Sequence, residues 1–511
     1  MNFNDLAATL PTELSPTLEQ QHIIDAALNT DESLLVNALA GAAKTTTLEM
    51  LCHKLPVMPI LSLAFNKRIA EEMARKLPGH VECRTLNSLG HRVWMQSITS
   101  KVILNTKKSY EILKTKVDSL KSAEKRDAYD YFADTLKSIG KAKLAGYIPD
   151  GKYPQAKRLV TSEQFWESID EQGLDPIQWL VDDALTESIR QSYSGHIDFD
   201  DQIYMSTLFG GAFPRFPLVM CDEVQDLSEI NHAMLERLVT QRLIAVGDPF
   251  QSIYRFRGAK SSGMAALKEK FKMREMTLSI SFRCPKAVIR NAHFRTPHMM
   301  WPDWAKDGLV KQLGAWDANT IADGAAVLCR NNAPLFSLAF RLLRRGRGVK
   351  LVGFDIGPNL IRTLKKLTNA DTTPLAESAT QDEVNKAIDR WEAEQLLKRK
   401  AEGTVKDKAE CLRVFSSFGP NLGAAIAYAQ DLFAQSGPIQ LLSGHKAKGL
   451  EWPIVYHLDP WRIPSQYAQT EEDEEQEWNV KYVIETRAKE SLYFMDTHWF
   501  ERDENEPSGD E

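Results

Sequence analysis

Ser33-Leu-Leu-Val-Asn-Ala-Leu-Ala-Gly-Ala-Ala-Lys-Thr-Thr-Thr-Leu-Glu-Met50 is the stretch on which the reading of this chain turns. Leu34-Leu35-Val36 reads as a short buried strand. Small residues run from Ala38 to Ala43, and Lys44-Thr45 opens a helix. Strand, tight loop, Lys-Thr and helix, in that order, give the layout of a phosphate-binding loop. The backbone N–H groups of Ala40, Gly41, Ala42, Ala43, Lys44, Thr45 and Thr46 are then expected to face a triphosphate, helped by the positive end of the helix dipole. Lys44 would reach the outer phosphates, and the Thr45 hydroxyl would take one Mg²⁺ position. The general pattern G-x-x-x-x-G-K-[ST] is only partly met, since positions 38 and 43 both hold alanine and Gly41 alone remains inside the loop. Small residues ahead of a helix also serve close packing, so the rest of the chain has to decide.

At 511 residues the chain exceeds one core, and two to four domains are expected. Charged residues at 26% and hydrophobic ones at 43% are those of a folded globular protein. A net charge of −6 excludes a globally basic nucleic-acid binder but leaves room for a local basic channel. Six cysteines without C-x-x-C pairs read as reduced and buried. With neither a signal peptide nor a bilayer-length apolar run, the cytoplasm (or a nucleus) is the expected compartment.

Ahead of the loop, Ser15-Pro16 or Thr17 can start a helix carrying Ile23 and Ile24, and Gln20 on it is either a surface residue or an adenine contact. After the loop, strand and helix candidates alternate: 59–65 then 66–73, and 81–85 then 86–94. That alternation implies a parallel α/β sheet, whose ligands lie beyond the carboxyl ends of the strands. Residues 101–192 read as a mainly helical insertion, lysine-rich in places. The sheet then resumes with Leu218 to Cys221, which ends in Asp222-Glu223. Adjacent carboxylates at a buried strand end are costly unless a metal-bound nucleotide needs them. Asp222 would hold Mg²⁺, and Glu223 would orient and deprotonate the attacking water. Leu243 to Val246 is a further strand, followed by a turn and an exposed series: Gln251, Tyr254, Phe256, Arg257. Aromatics among arginines suit base stacking beside phosphate contacts, or equally an interdomain surface. A second α/β unit is expected from strands at 276–280, 325–329 and 438–443, with a polar helical insertion at 360–435. The run 470–477 reads as an acidic loop, and 501–511 as a disordered acidic tail.

Taken jointly, Asp222-Glu-Val-Gln-Asp226, Val246-Gly-Asp-Pro-Phe-Gln-Ser-Ile-Tyr254, Ser281-Phe-Arg283, Ser443-Gly-His-Lys-Ala-Lys-Gly-Leu-Glu451 and Glu485-Thr-Arg-Ala-Lys489 carry a resemblance. The chain resembles the superfamily 1 helicases of the UvrD/Rep/PcrA group, and most of all their short F-box-DNA-helicase-like branch. That resemblance implies an α/β fold of two RecA-like, parallel-sheet P-loop NTPase domains, each with a mainly helical insertion. Domain 1A would take 1–100 and 193–262, insertion 1B 101–192, domain 2A 263–359 and 436–500, and insertion 2B 360–435. ATP and Mg²⁺ would sit in the cleft between the RecA-like domains.

The resemblance also implies residue roles. Gln20 would read adenine, Gln251 would sense the γ-phosphate, Arg283 and Arg487 would reach in from the second domain, and Glu451 would touch the ribose. Phe65, Thr85, Asn87, Tyr254, Phe256, Arg257 and His445 would line a single-stranded DNA track. The family usually has histidine where Asn87 stands and tryptophan where Phe256 stands. The implied activity is ATP-driven 3′→5′ movement on single-stranded DNA with unwinding of duplexes and junctions by a monomer, in repair or recombination. The alternative is a DNA-binding or regulatory protein with a weakened ATPase, motivated by Ala43.

Overall fold

The computed structural model describes residues 15–169, 178–253, 263–352, 356–370, 377–398 and 402–500. In chain order the strands are β1 (Leu34–Ala38), β2 (Ile60–Leu63), β3 (Val81–Arg84), β4 (Ile103–Leu104), β5 (His196–Ile197), β6 (Phe216–Cys221), β7 (Val239–Gly247) and β8 (Arg274–Leu278). They are followed by β9 (Leu309–Gln312), β10 (Ala326–Cys329), β11 (Val349–Leu351), β12 (Ile439–Ser443), β13 (Trp452–Leu458) and β14 (Ala488–Met495). Two six-stranded sheets result, ordered β3-β2-β6-β7-β1-β8 and β11-β12-β10-β13-β14-β9, with every pairing parallel.

Parallel strands covered by helices on both faces need apolar residues on both faces, and the central strands meet this. All four residues of β2 and all four of β10 are buried. Ile23, Ile24, Ala26 and Ala27 of helix Leu18–Asn29 pack under the first sheet with Leu34, Val36 and Leu48. A separate cluster around Phe336, Leu338, Phe415 and Leu441 forms the core of the second half.

The two insertions are helical. Helices Lys108–Asp118, Ser122–Asp130, Phe132–Ala145, Ser162–Ile169 and Gln178–Tyr193 lie between β4 and β5, which pair as a two-residue parallel ribbon at the insertion's neck. Helices Ile356–Leu367, Gln381–Leu397, Glu402–Ser417 and Leu422–Ala434 lie between β11 and β12. The first insertion is pinned by buried charge. Lys143 Nζ lies 2.7 Å from Asp198 and 2.8 Å from Asp201, and Lys108 Nζ lies 2.6 Å from Asp201.

Three sequence expectations change. The strand at 276–280 was expected in the second α/β unit, but β8 adds to the edge of the first sheet, with Leu34 opposite Arg274 and Ala38 opposite Leu278. The crossover to the second half therefore begins after Leu278, not at 263. Residues 470–477 do not form a loop: helix Glu471–Glu485 starts there. Thr470 caps it, accepting from the Asp473 N–H, while the Asp473 carboxylate accepts from the Thr470 N–H. The acidic residues of its first turn face the positive end of the helix dipole, which is why this composition is stable as helix. Gln251, expected in an exposed series, is 4% exposed. Of the other members of that series, Tyr254, Phe256 and Arg257 lie outside the described residues, as does the 501–511 tail.

Candidate nucleotide site between the two sheets

The carboxyl ends of β1, β6 and β7 bring together the segments that carry chemistry. From β1 the chain enters the loop 38–43 and then helix Lys44–Lys54. Gly41 sits at φ 75°, where the chain needs a left-handed turn. A Cβ there would fall 2.6 Å from Arg283 Cβ and 2.7 Å from Ser281 Oγ, so the segment that follows β8 packs directly on the loop. Two hydrogen bonds fix that approach: Phe282 N–H to the Gly41 carbonyl at 2.9 Å, and Ser281 Oγ–H to the Ala40 carbonyl at 2.7 Å. Ala43 holds φ 56° and ψ 41° just ahead of Lys44.

From β6 come the carboxylates. The Thr45 hydroxyl donates to Asp222 Oδ2 at 3.0 Å, so the two groups read as Mg²⁺ ligands already converge on one point. A hydroxyl and one carboxylate, with phosphate oxygens and waters completing the shell, are what a Mg²⁺–nucleotide site requires. Lys44 Nζ lies 3.7 Å from Glu223 Oε1. Burial, and then the Glu223 charge beside it, push the Asp222 carboxyl well up. Burial works the same way on Glu223, yet Lys44 and Lys448 draw its carboxyl below the usual range. The two carboxyls are thus drawn in opposite directions by their neighbours. The Glu223 backbone is left-handed at φ 55°, a strained conformation for a residue other than glycine.

From β7 come Asp248 and Gln251. Asp248 is fully buried and accepts from Gln251 Nε2 at 2.6 Å. Across the cleft, the second half supplies cations. Arg487, 1% exposed, donates from Nη2 to Gln251 Oε1 at 3.4 Å. Burial, then the Arg283 charge, lower its guanidinium to about 10. Arg283 Nε donates to Glu451 Oε2 at 2.6 Å, and Lys489 Nζ holds Glu451 Oε1 at 2.8 Å. The ribose-reading role expected of Glu451 therefore competes with two basic partners.

Gln20 is not a surface residue. It is 3% exposed; its Nε2 donates to Thr47 Oγ1 at 3.0 Å, and its Oε1 accepts from the Thr17 N–H at 3.0 Å. The amide is thereby locked to the phosphate-loop helix. On the expected DNA track, Phe65 is 48% exposed beyond the end of β2. Thr85 caps helix Leu86–Ser97, accepting from the Ser88 N–H. The Asn87 amide donates to the Phe199 carbonyl at 2.8 Å and to Gln202 Oε1 at 3.0 Å, so it braces two helices of the first half. His445 follows β12; burial and the Arg330 charge lower its pKa to about 3, making it a neutral hydrogen-bonding ring.

Sequence reasoning missed the residues that join the halves. Lys448 Nζ donates to both Asp226 oxygens at 2.7 Å and to the Gln251 carbonyl at 2.6 Å. Asn479 Nδ2 donates to the Ser252 carbonyl at 3.2 Å, and Arg295 stacks 5.0 Å over the Phe250 ring. The Tyr482 hydroxyl meets the Ala40 N–H at 2.9 Å. Lys448 and Asp226 lay inside quoted motifs, but a pairing across 222 residues has no local signal.

Comparison with known proteins matches this arrangement to one family. The UvrD/REP helicase N-terminal domain matches residues 18–272, and the UvrD-like helicase C-terminal domain matches residues 421–498. F-box DNA helicase protein 1 of Schizosaccharomyces pombe is 23% identical, over 95% of this chain and 58% of that protein. F-box DNA helicase 1 of Gallus gallus is 26% identical, over 94% of this chain and 49% of that protein. The chain thus spans about half the length of these two relatives. The ATP-dependent DNA helicase PcrA of Bacillus subtilis is 22% identical, over 96% of this chain and 84% of that protein. With both halves of the molecule matched, in the order in which its two sheets occur, the chain belongs to the UvrD/REP helicase family.

Proposed function

We propose that this protein is an ATP-dependent DNA helicase or translocase that moves 3′→5′ on single-stranded DNA and unwinds duplex ahead of it. The observation that carries the reading is the meeting of Gln251, from the first sheet, with Arg487, from the second, beside Lys44, Thr45, Asp222 and Glu223. A phosphate-sensing amide bonded to a cation from the opposite half ties nucleotide occupancy to the spacing of the halves.

In this reading Lys44 and the N–H groups of Gly41, Ala43, Lys44, Thr45 and Thr46 bind the phosphates, and Glu223 takes the proton of the attacking water. The N–H groups of Ala40 and Ala42 are taken by the Tyr482 hydroxyl and the Leu39 carbonyl. Thr45 and Asp222 would hold Mg²⁺, which neutralises charge on the phosphates. Arg283 and Arg487 counter the charge that develops on the transferred group, a contribution worth about 10³–10⁵ in rate among related phosphoryl-transfer enzymes. Gln20 reads the base, and Glu451 exchanges its two basic partners for contact with the ribose. Closure and opening of the cleft then move a strand held by Phe65, Thr85, Asn87, Tyr254, Phe256, Arg257 and His445. The neutral His445 ring suits hydrogen bonding or stacking more than ion pairing with phosphate. DNA junctions as substrates, action as a monomer, and a repair or recombination setting belong to the same proposal.

The left-handed Ala43 favours a second reading, a DNA-binding protein with a weakened ATPase, because alanine costs free energy in that conformation. Strand displacement on tailed duplexes separates the two and tests the direction. The expected result is ATP-dependent unwinding of a 3′-tailed duplex and little action on the 5′-tailed one. Binding of both without unwinding of either would overturn the helicase reading.

A further inference from the structure

Helix Glu471–Glu485 contributes one side chain that touches the phosphate loop and the strand-end acid of the first sheet together. Tyr482 is fully buried. Its hydroxyl accepts from the Ala40 N–H at 2.9 Å and donates to Asp248 Oδ2 at 3.4 Å. The same Asp248 oxygen accepts from Gln251 Nε2 at 2.6 Å, and Gln251 Oε1 accepts from Arg487 Nη2 at 3.4 Å. Arg487 lies two residues beyond the helix that carries Tyr482. The bonds therefore run from the phosphate loop through Tyr482, Asp248 and Gln251 to Arg487, passing between the two halves three times. The Tyr482 ring packs edge-on to Phe250, with centroids 6.2 Å apart, so its position is set by packing independently of the hydroxyl.

We propose that Tyr482 is a positioning residue that couples closure of the two halves to the orientation of Gln251. The inference rests on the ATPase reading above. Gln251 can turn to a γ-phosphate only by loosening its bond to Arg487. Asp248 holds the other end of the Gln251 amide, and Tyr482 holds Asp248. Any shift of the second half that draws Tyr482 from Ala40 also moves its hydroxyl relative to Asp248. The tyrosine thus transmits the separation of the halves to the residue that contacts the phosphate. It acts through Asp248 and Gln251 without touching the reacting atoms.

The test is a double-mutant cycle on the full chain, using Tyr482→Phe and Gln251→Ala, with ATP turnover measured with and without single-stranded DNA. Tyr482→Phe keeps the ring and removes both hydrogen bonds. It is expected to lower the DNA-stimulated kcat about tenfold, the rate equivalent of one hydrogen bond, while KM for ATP moves less than about twofold. The double variant is expected to match Gln251→Ala alone, because the tyrosine works through that glutamine. A merely structural tyrosine would give losses that multiply in the double variant. An unchanged kcat in Tyr482→Phe, or multiplying losses, overturns the inference and leaves the ATPase reading standing. A parent chain without DNA-stimulated turnover overturns both. Asp248→Asn weakens the same path from the other side and must show the same non-additivity with Gln251→Ala, which keeps the inference testable if the tyrosine variant does not fold.

Discussion

Ala43 is held at φ 56° and ψ 41°, immediately before the lysine that would bind phosphate. An L-residue in that region pays about 1–2 kcal/mol, and glycine returns part of the gain through its freer unfolded chain. Ala43→Gly should therefore raise stability by up to about 1 kcal/mol, read as an increase in melting temperature, with ATP turnover similar or higher. A large loss of turnover would mean that the loop needs the alanine methyl for another reason. The requirement for φ > 0 was legible from the family pattern, which puts glycine at position 43. Asp222 and Glu223 were equally legible, because two carboxylates at the end of an apolar run need a reason to be buried. Gln251 misled: glutamine after a Gly-Asp-Pro turn suggests surface, whereas Asp248, Arg487 and Lys448 enclose it.

Helix Glu471–Glu485 and the joint of the first insertion were the elements hardest to read. Five acidic residues between 471 and 475 suggest a solvated loop only if the cap is overlooked; Thr470-x-x-Asp473 is the signal that could have found the helix. Thr470→Ala should cost about 1 kcal/mol, measured by thermal denaturation, since the acidic first turn relies on that cap. At the insertion joint, burial would raise the Asp198 carboxyl, but the charge and hydrogen bond of Lys143 hold it far below the usual carboxylate range. A carboxyl depressed in the folded state adds stability above its unfolded value, about pH 3.9, and that stability is lost as pH falls toward the folded value. Asp198→Asn preserves the cap of helix Phe199–Leu208 while removing the charge. It should cost about 3 kcal/mol at pH 7, with the difference from the parent shrinking in acid. Equal stability at pH 7 would mean that Asp201 alone satisfies both lysines. The lysines and aspartates of this network are 108, 143, 198 and 201 in sequence, so only the folded chain reveals them as one group.

At the scale of the molecule, two parallel sheets, each with a helical insertion, are joined by side chains of complementary chemistry from the two halves. Strand alternation made the sheets legible, and motif order gave the number of halves. The membership of β8 was not legible, because an edge strand just before a crossover has no local feature that says which sheet it joins. The contacts that close the cleft, Lys448 with Asp226 and Tyr482 with Ala40, were likewise invisible until the halves were brought together. They matter because the central claim is that the halves make one ATPase whose work is done on DNA. Steady-state ATP hydrolysis with and without single-stranded DNA, run on the parent chain and on Lys44→Ala, tests that claim most directly. The expected result is turnover that rises strongly with DNA in the parent and falls by about 10²–10³ in Lys44→Ala, the cost of losing one aligned charge donor. Turnover indifferent to DNA, or retained in full without the Lys44 ammonium, would contradict it.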